Sequence, residues 1–382
     1  MINKKDFLLN ENIYFLNNGS YGVCPRSVFN KYQEWQRIIE FQPVEFFLKI
    51  LLPELKKSRK LIGDFINCHH DDLILIRNAT YAINLVIRSL DLKKNDEVLV
   101  SNHEYGACLN AWEFWQKEKG FKVKKVNIDL PLPGTSELIN KIKSHISSQT
   151  KLIFFSHISS KTAQLFPVKE ICKLAREHNT ISVIDGAHAI GHCPLNIKEI
   201  DPDFYFSNIH KWLFAPKGTA FLYSRKALQT TVKPLITGWG WGSNREMRSG
   251  SDYIDSNQFY GTSDLSSFLS IAEALKFYRE NRVADWQKRC NELVKYFIIE
   301  ANKITGKESL YTEFPECLMM AVIEIPQKYS ALELKNLLYD KYRIEVPVIN
   351  WERKLLIRIS IQVFNTEEEV EYLLKALKII FD

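Results

Sequence analysis

Between residues 73 and 223, short continuous apolar runs alternate with stretches whose apolar side chains recur every three to four positions. Residues 73–76, 98–100, 151–155, 181–184, 203–206 and 219–223 read as strands. Thr80 is expected to cap a helix that turns Ile83, Leu85, Val86 and Leu90 inward, and a second helix over 107–119 is stopped by Gly120. A third, over 168–178, carries Ile171, Leu174 and Ala175 on one face. A strand without a polar side must be covered on both faces, so this rhythm predicts an α/β fold, a mostly parallel sheet between helices.

Beyond residue 255 the rhythm changes. Helices are expected at 264–280, 283–304, 331–339 and 366–381, with strands at 319–325, 343–348 and 355–361. That interleaving predicts a smaller C-terminal α+β domain. The expected division is a large α/β domain over 15–255 and a small one over 256–382 that takes in the N-terminal segment 1–14, as suits 382 residues. The run Thr237-Gly-Trp-Gly-Trp-Gly-Ser243 reads equally as a mobile loop near a ligand and as a turn-rich crossover.

Charge excludes some classes of partner. Fifty-one basic and 45 acidic residues give a net +6 without a basic block, so no nucleic-acid partner is expected. No apolar stretch approaches a membrane-spanning length, and Asp6, Asn10, Glu11 and Asn12 interrupt any leader-like core at the N-terminus. Seven dispersed cysteines without a CxxC pair predict reduced thiols and a cytoplasmic protein. Cys68-His69-His70 reads as a structural turn and no metal is expected, because adjacent side chains diverge.

In an open parallel sheet, ligands gather beyond the carboxyl ends of the strands. The first strand is followed by Arg77-Asn78-Ala79-Thr80, a helix start able to meet an anion. The second is followed by His103-Glu104-Tyr105, which puts a ring at the rim. Asp185-Gly186-Ala187-His188 follows the strand ending at Ile184, and Asn208, His210 and Lys211 follow the one ending at Phe206. Singly, each has a plain structural reading: a cap, rim packing, a turn, a lysine with its ammonium in water. Together they place a phosphate site, a stacking ring, a carboxylate and a lysine along one edge.

Pyridoxal 5'-phosphate requires that combination. Its aldehyde takes a lysine, its phosphate a helix start, its ring a flat neighbour, and its pyridine nitrogen an anion that keeps it protonated. Neither G-x-G-x-x-G after the first strands nor G-x-x-x-x-G-K-[ST] occurs, which excludes the usual nucleotide motifs.

The chain resembles the class V aminotransferase family of fold-type I pyridoxal-phosphate enzymes, most nearly its isopenicillin N epimerase-like branch. The likeness runs through NNGSYG (17–22), PVEFF (43–47), NHEYGA (102–107), IDGAHAIGH (184–192) and HKWLFAPKGTAFL (210–222). It implies that Lys211 carries the cofactor covalently, that Asp185 pairs with the pyridinium, that Tyr105 stacks on the ring and that His188 lies near the phenolic oxygen. It assigns cofactor contacts also to Ala79, Thr80, Ser160, Asn208 and His210, and to Thr262 across a homodimer interface. Substrate contacts fall to Arg358, Asn18 and Ser20, with Arg358 taking an α-carboxylate. The implied activity is chemistry at Cα of an amino-acid-type substrate, epimerase-like. A C–S lyase or an aminotransferase is the alternative, and a non-catalytic binding or regulatory protein the more distant one. Residues 346–357 contain no cysteine, which disfavours a persulfide route, and Gly261-Thr262-Ser263-Asp264 has serine where relatives often have arginine.

Overall fold

The computed structural model describes residues 2–245 and 248–382. From the N-terminus its strands are β1 (Tyr14–Phe15), β2 (Leu73–Ile76), β3 (Glu97–Ser101), β4 (Lys122–Val126), β5 (Thr150–Ser156), β6 (Ile181–Asp185), β7 (Phe204–Asn208) and β8 (Ala220–Ser224). The C-terminal part adds β9 (Met320–Ile325), β10 (Ile344–Glu345), β11 (Val348–Trp351) and β12 (Lys354–Ser360).

A seven-stranded sheet has the order β2-β8-β7-β6-β5-β3-β4, in which β8 alone runs against the others. Side chains alternate across it. Ile74, Val98, Phe154, Val183 and Phe206 join one core with the helices Ala79–Ser89 and Gly106–Lys119, while Leu75, Leu99, Phe155, Ile184 and Tyr205 join the other. Two buried faces explain why these strands read as unbroken apolar runs. β4, Lys-Val-Lys-Lys-Val, lacks that signature because it is the sheet edge, where lysines keep the open side wet.

A smaller antiparallel sheet, β11-β12-β9, is backed by the helix Val283–Thr305, on which the helix Glu367–Phe381 packs in turn. β1 pairs in parallel with β10, fastening the N-terminal segment to this part of the chain.

Several sequence expectations are corrected in detail. Asn78, not Thr80, caps the helix Ala79–Ser89: its Oδ1 accepts from the Tyr81 N–H at 2.9 Å, which leaves Thr80 inside the first turn. The strand expected over 343–348 divides at Pro347 into β10 and β11, since proline offers no N–H to continue a ladder. The helix expected over 264–280 is two, Ser266–Leu269 and Ile271–Glu280. Residues 26–41 and 51–66, where no element was expected, are helical.

Seven reduced thiols are not what the structure has. Cys193, in the loop after β6, is disulfide-bonded to Cys317, just before β9, leaving five free cysteines. The two partners are 124 residues apart, a separation at which spacing carries no pairing signal. His69, His70 and Asp71 cluster within 4.8 Å at the turn over 70–72, where His69 Nδ1 is engaged by the Asp71 N–H. Among the described residues no helix is long and apolar enough to cross a membrane.

Candidate active site

β7 runs directly into a single helical turn, Ile209–Trp212, so the residue at 211 emerges from a strand buried on both faces. Lys211 is only 9% exposed, and its Nζ lies 3.0 Å from His188 Nε2. Burial, then the nearby Arg358 guanidinium, lower its pKa to about 7, so a neutral amine is accessible near neutral pH. Asn18 Nδ2 donates to the Lys211 carbonyl at 3.2 Å, and Gly22 lies against the Lys211 backbone. His188 is fully enclosed: burial, Lys211 and Arg358 hold its pKa well below the usual histidine range. Trp212 Nε1 donates to His188 Nδ1 at 3.3 Å.

Asp185 closes β6, and burial raises its pKa against the lowering effects of the Ala187 N–H and Lys211. Its Oδ1 accepts from that N–H at 2.9 Å, and its Oδ2 from the Cys108 thiol at 3.5 Å. Deeper still, Glu104 accepts from the hydroxyls of Ser101 and Ser156, and burial pushes its pKa up to about 7. Sequence reasoning gave no role to Cys108, Glu104 or Trp212. Nothing local marks them; their proximity to the site comes from how the helix Gly106–Lys119 and the segments after β3, β6 and β7 pack.

Lys211, His188 and Asp185 border a cavity of about 290 Å³. Ala79, Thr80, Tyr105, Ser160, Asp185, His188, Asn208, His210, Lys211 and Ser20, all named from sequence, line it. At one end stands the start of the eleven-residue helix Ala79–Ser89. The Ala79 N–H donates to Asn208 Oδ1 at 2.9 Å and the Tyr81 N–H to Asn78, so the Thr80 N–H is left with no protein acceptor among the described residues. An unpaired donor at a positive helix end suits an anion. His210 Nδ1 is taken by the Thr219 carbonyl at 3.0 Å. Tyr105 is 44% exposed beside the cavity, with ring surface to offer. A buried amine, a buried carboxyl, an exposed ring and an orphan helical N–H around one cavity fit pyridoxal 5'-phosphate.

Three expected members lie elsewhere. Arg358, on β12, sits behind the cavity wall, where Nη1 donates to the Ser160 carbonyl and hydroxyl (3.2 Å to Oγ) and Nη2 to Ser20 Oγ at 2.9 Å. Its Nε has no partner among the described residues. Asn18 does not line the cavity but supports the Lys211 backbone. Thr262 is exposed in a separate cleft beside Pro43 and Phe47 of the PVEFF motif.

The Aminotransferase class-V family model matches residues 49–373. The chain belongs to the class-V aminotransferase family. Among class-V relatives, an isopenicillin N epimerase of Amycolatopsis lactamdurans is 30% identical over 95% of this chain and 94% of its own length. A hercynylcysteine sulfoxide lyase of Schizosaccharomyces pombe is 27% identical over 98% and 96%, and a probable chloroplastic L-cysteine desulfhydrase of Arabidopsis thaliana 30% over 95% and 82%. Of solved structures, a C-DES mutant with glycine covalently linked to its PLP cofactor superimposes with a TM-score of 0.86 at 18% identity, covering 99% of both chains. An apo cysteine desulfurase of Thermococcus onnurineus NA1 gives 0.81 at 20%, over 99% of this chain and 97% of its own. These superpositions show the fold that the chain shares with them.

Proposed function

We propose that this class-V family member is an enzyme that holds pyridoxal 5'-phosphate on Lys211 and acts at Cα of a small amino-acid substrate. The observation that carries this reading is the Lys211 amine: buried, lowered to a pKa of about 7, and facing a cavity that also holds Asp185 and the orphan Thr80 N–H. When bound, the cofactor supplies an electron sink for negative charge developing at Cα. Asp185, anchored by the Ala187 N–H and the Cys108 thiol, presents an anion to the ring nitrogen. The Thr80 N–H, with Asn208 and His210 beside it, binds the phosphate, and Tyr105 flanks the ring. Arg358 exchanges Ser20 and Ser160 for a substrate carboxylate, to which its planar fork is matched. Lys211, released when the substrate's amine takes its place and left neutral beside His188, would take the Cα proton.

The narrower reading placed first is epimerisation, supported by similarity to the isopenicillin N epimerases at 30% and 29% identity over nearly the full chain. The second is β-elimination at a carbon–sulfur bond, supported by the sulfoxide lyase and desulfhydrase relatives of almost equal similarity. A desulfurase route through a protein persulfide has less support, since none of the five free cysteines lines the cavity. In this reading a homodimer completes the phosphate end with Thr262 of the partner subunit.

Incubating the cofactor-loaded protein in heavy water with a panel of amino acids tests both levels. Deuterium at Cα with loss of optical purity supports epimerisation. Pyruvate with a sulfur-containing product supports elimination, and a keto acid that retains the carbon skeleton supports transamination. No exchange at Cα of any amino acid by coloured, loaded protein contradicts the proposal as a whole.

A further inference from the structure

An indole N–H can only donate. Because Trp212 Nε1 donates to His188 Nδ1, that nitrogen carries no proton, and the neutral ring must hold its proton on Nε2. Nε2 lies 3.0 Å from Lys211 Nζ. An ammonium has three donors and no acceptor, so against an Nε2–H it meets donor with donor; the neutral amine has a lone pair to receive it.

The indole is itself held. His192 donates from Nδ1 to the His188 carbonyl at 2.9 Å and accepts the Met319 N–H on Nε2 at 2.7 Å, which fixes its tautomer in turn. The His192 ring stacks on Trp212 at 3.9 Å between centroids, 25° from parallel. Next to His192, Cys193 is bonded to Cys317, two residues before Met319, so a covalent link joins the same two segments.

We propose that Trp212 is a positioning residue: it locks His188 as the Nε2–H tautomer, and His188 thereby selects the neutral, nucleophilic form of Lys211. The other groups facing the lysine divide. The Arg358 guanidinium also disfavours its charge, while Asp185 and the Cys108 thiol favour it; His210 and His192 act on His188 in the same sense as Lys211 does. The inference gains its catalytic meaning from Lys211 being the reacting amine, but it concerns the free amine and is tested without cofactor.

In the full-length, cofactor-free chain, pulses of acetic anhydride across a pH series, quantified by peptide mass spectrometry, give the titration midpoint of Lys211, with exposed Lys173 as reference. Trp212→Phe keeps an aromatic ring against His192 and removes the N–H. His188 is then free to protonate Nδ1 and accept from an ammonium, so the Lys211 midpoint should rise by about one pH unit, the size of one hydrogen bond. The Lys173 midpoint should stay put. In a His188→Gln background the same substitution should shift nothing, because the lock acts through the imidazole. An unshifted midpoint in Trp212→Phe, or an equal shift without His188, overturns the proposal. Should Trp212→Phe fail to fold, ¹⁵N-histidine NMR of the unaltered chain decides: a bare Nδ1 and protonated Nε2 at His188 near neutral pH support the lock, and a protonated Nδ1 refutes it. Cofactor uptake plays no part in either readout, so failure here is distinguishable from failure of the proposed function.

Discussion

A Cβ on Gly22 would stand 2.0 Å from the His210 carbonyl oxygen and 2.6 Å from Lys211 Cα, and its φ of +68° lies where side chains are strained. The NNGSYG motif is therefore a saddle for the lysine turn, with Asn18 holding the Lys211 carbonyl and Ser20 reaching Arg358. Arg358 is poised rather than idle: its fork already points at two hydroxyls, and its buried Nε has no partner among the described residues. Replacing it with lysine keeps a charge but loses the fork. Arg358→Lys should raise KM for an amino-acid substrate about ten- to a hundredfold, one charge-assisted hydrogen bond being worth about 1.5–3 kcal/mol, while leaving the bound cofactor's colour. An unchanged KM in steady-state kinetics would remove Arg358 from the substrate site. At this scale Lys211, Asp185 and Thr80 were legible because strand ends in a parallel sheet share an edge. Trp212 and Cys108 were not, because their contacts with His188 and Asp185 depend on packing between segments distant in sequence.

Elements were legible where burial writes a pattern. β2, β5, β6 and β7 are enclosed on both faces and show it as continuous apolar runs. β4 hides behind its edge lysines, and the helices over 26–41 and 51–66 mix charged and apolar residues along most of their length. The division at Pro347 and the capping by Asn78 rather than Thr80 are matters of single hydrogen bonds, which periodicity does not resolve. The Cys193–Cys317 bond is the sharpest miss. It ties the loop that follows β6, and so His188 and His192, to the start of β9 in the smaller sheet.

On the whole molecule, two motifs that serve no purpose within one cavity meet on one surface. Pro43 and Phe47 of PVEFF border the same cleft as Thr262 and Asp264, and Asp264 accepts from Tyr32 and Gln36. Large apolar side chains stand in water: Tyr21 is 74% exposed, Phe41 89%, and Val44, Leu48, Trp239 and Trp241 more than half. Exposure on that scale fits a protein interface, and a second copy is the partner this reading commits to. Sedimentation at micromolar concentration should give a dimer; a strict monomer with full activity would contradict the role proposed for Thr262 of the partner subunit. The central claim, that the amine at the end of β7 carries the cofactor, has a more direct test. The protein is saturated with pyridoxal 5'-phosphate, reduced with borohydride and digested, and the peptides are weighed. The account predicts the reduced cofactor's mass on the peptide containing Lys211 and none in Lys211→Ala; the same mass on a different lysine, or on no peptide, would contradict it.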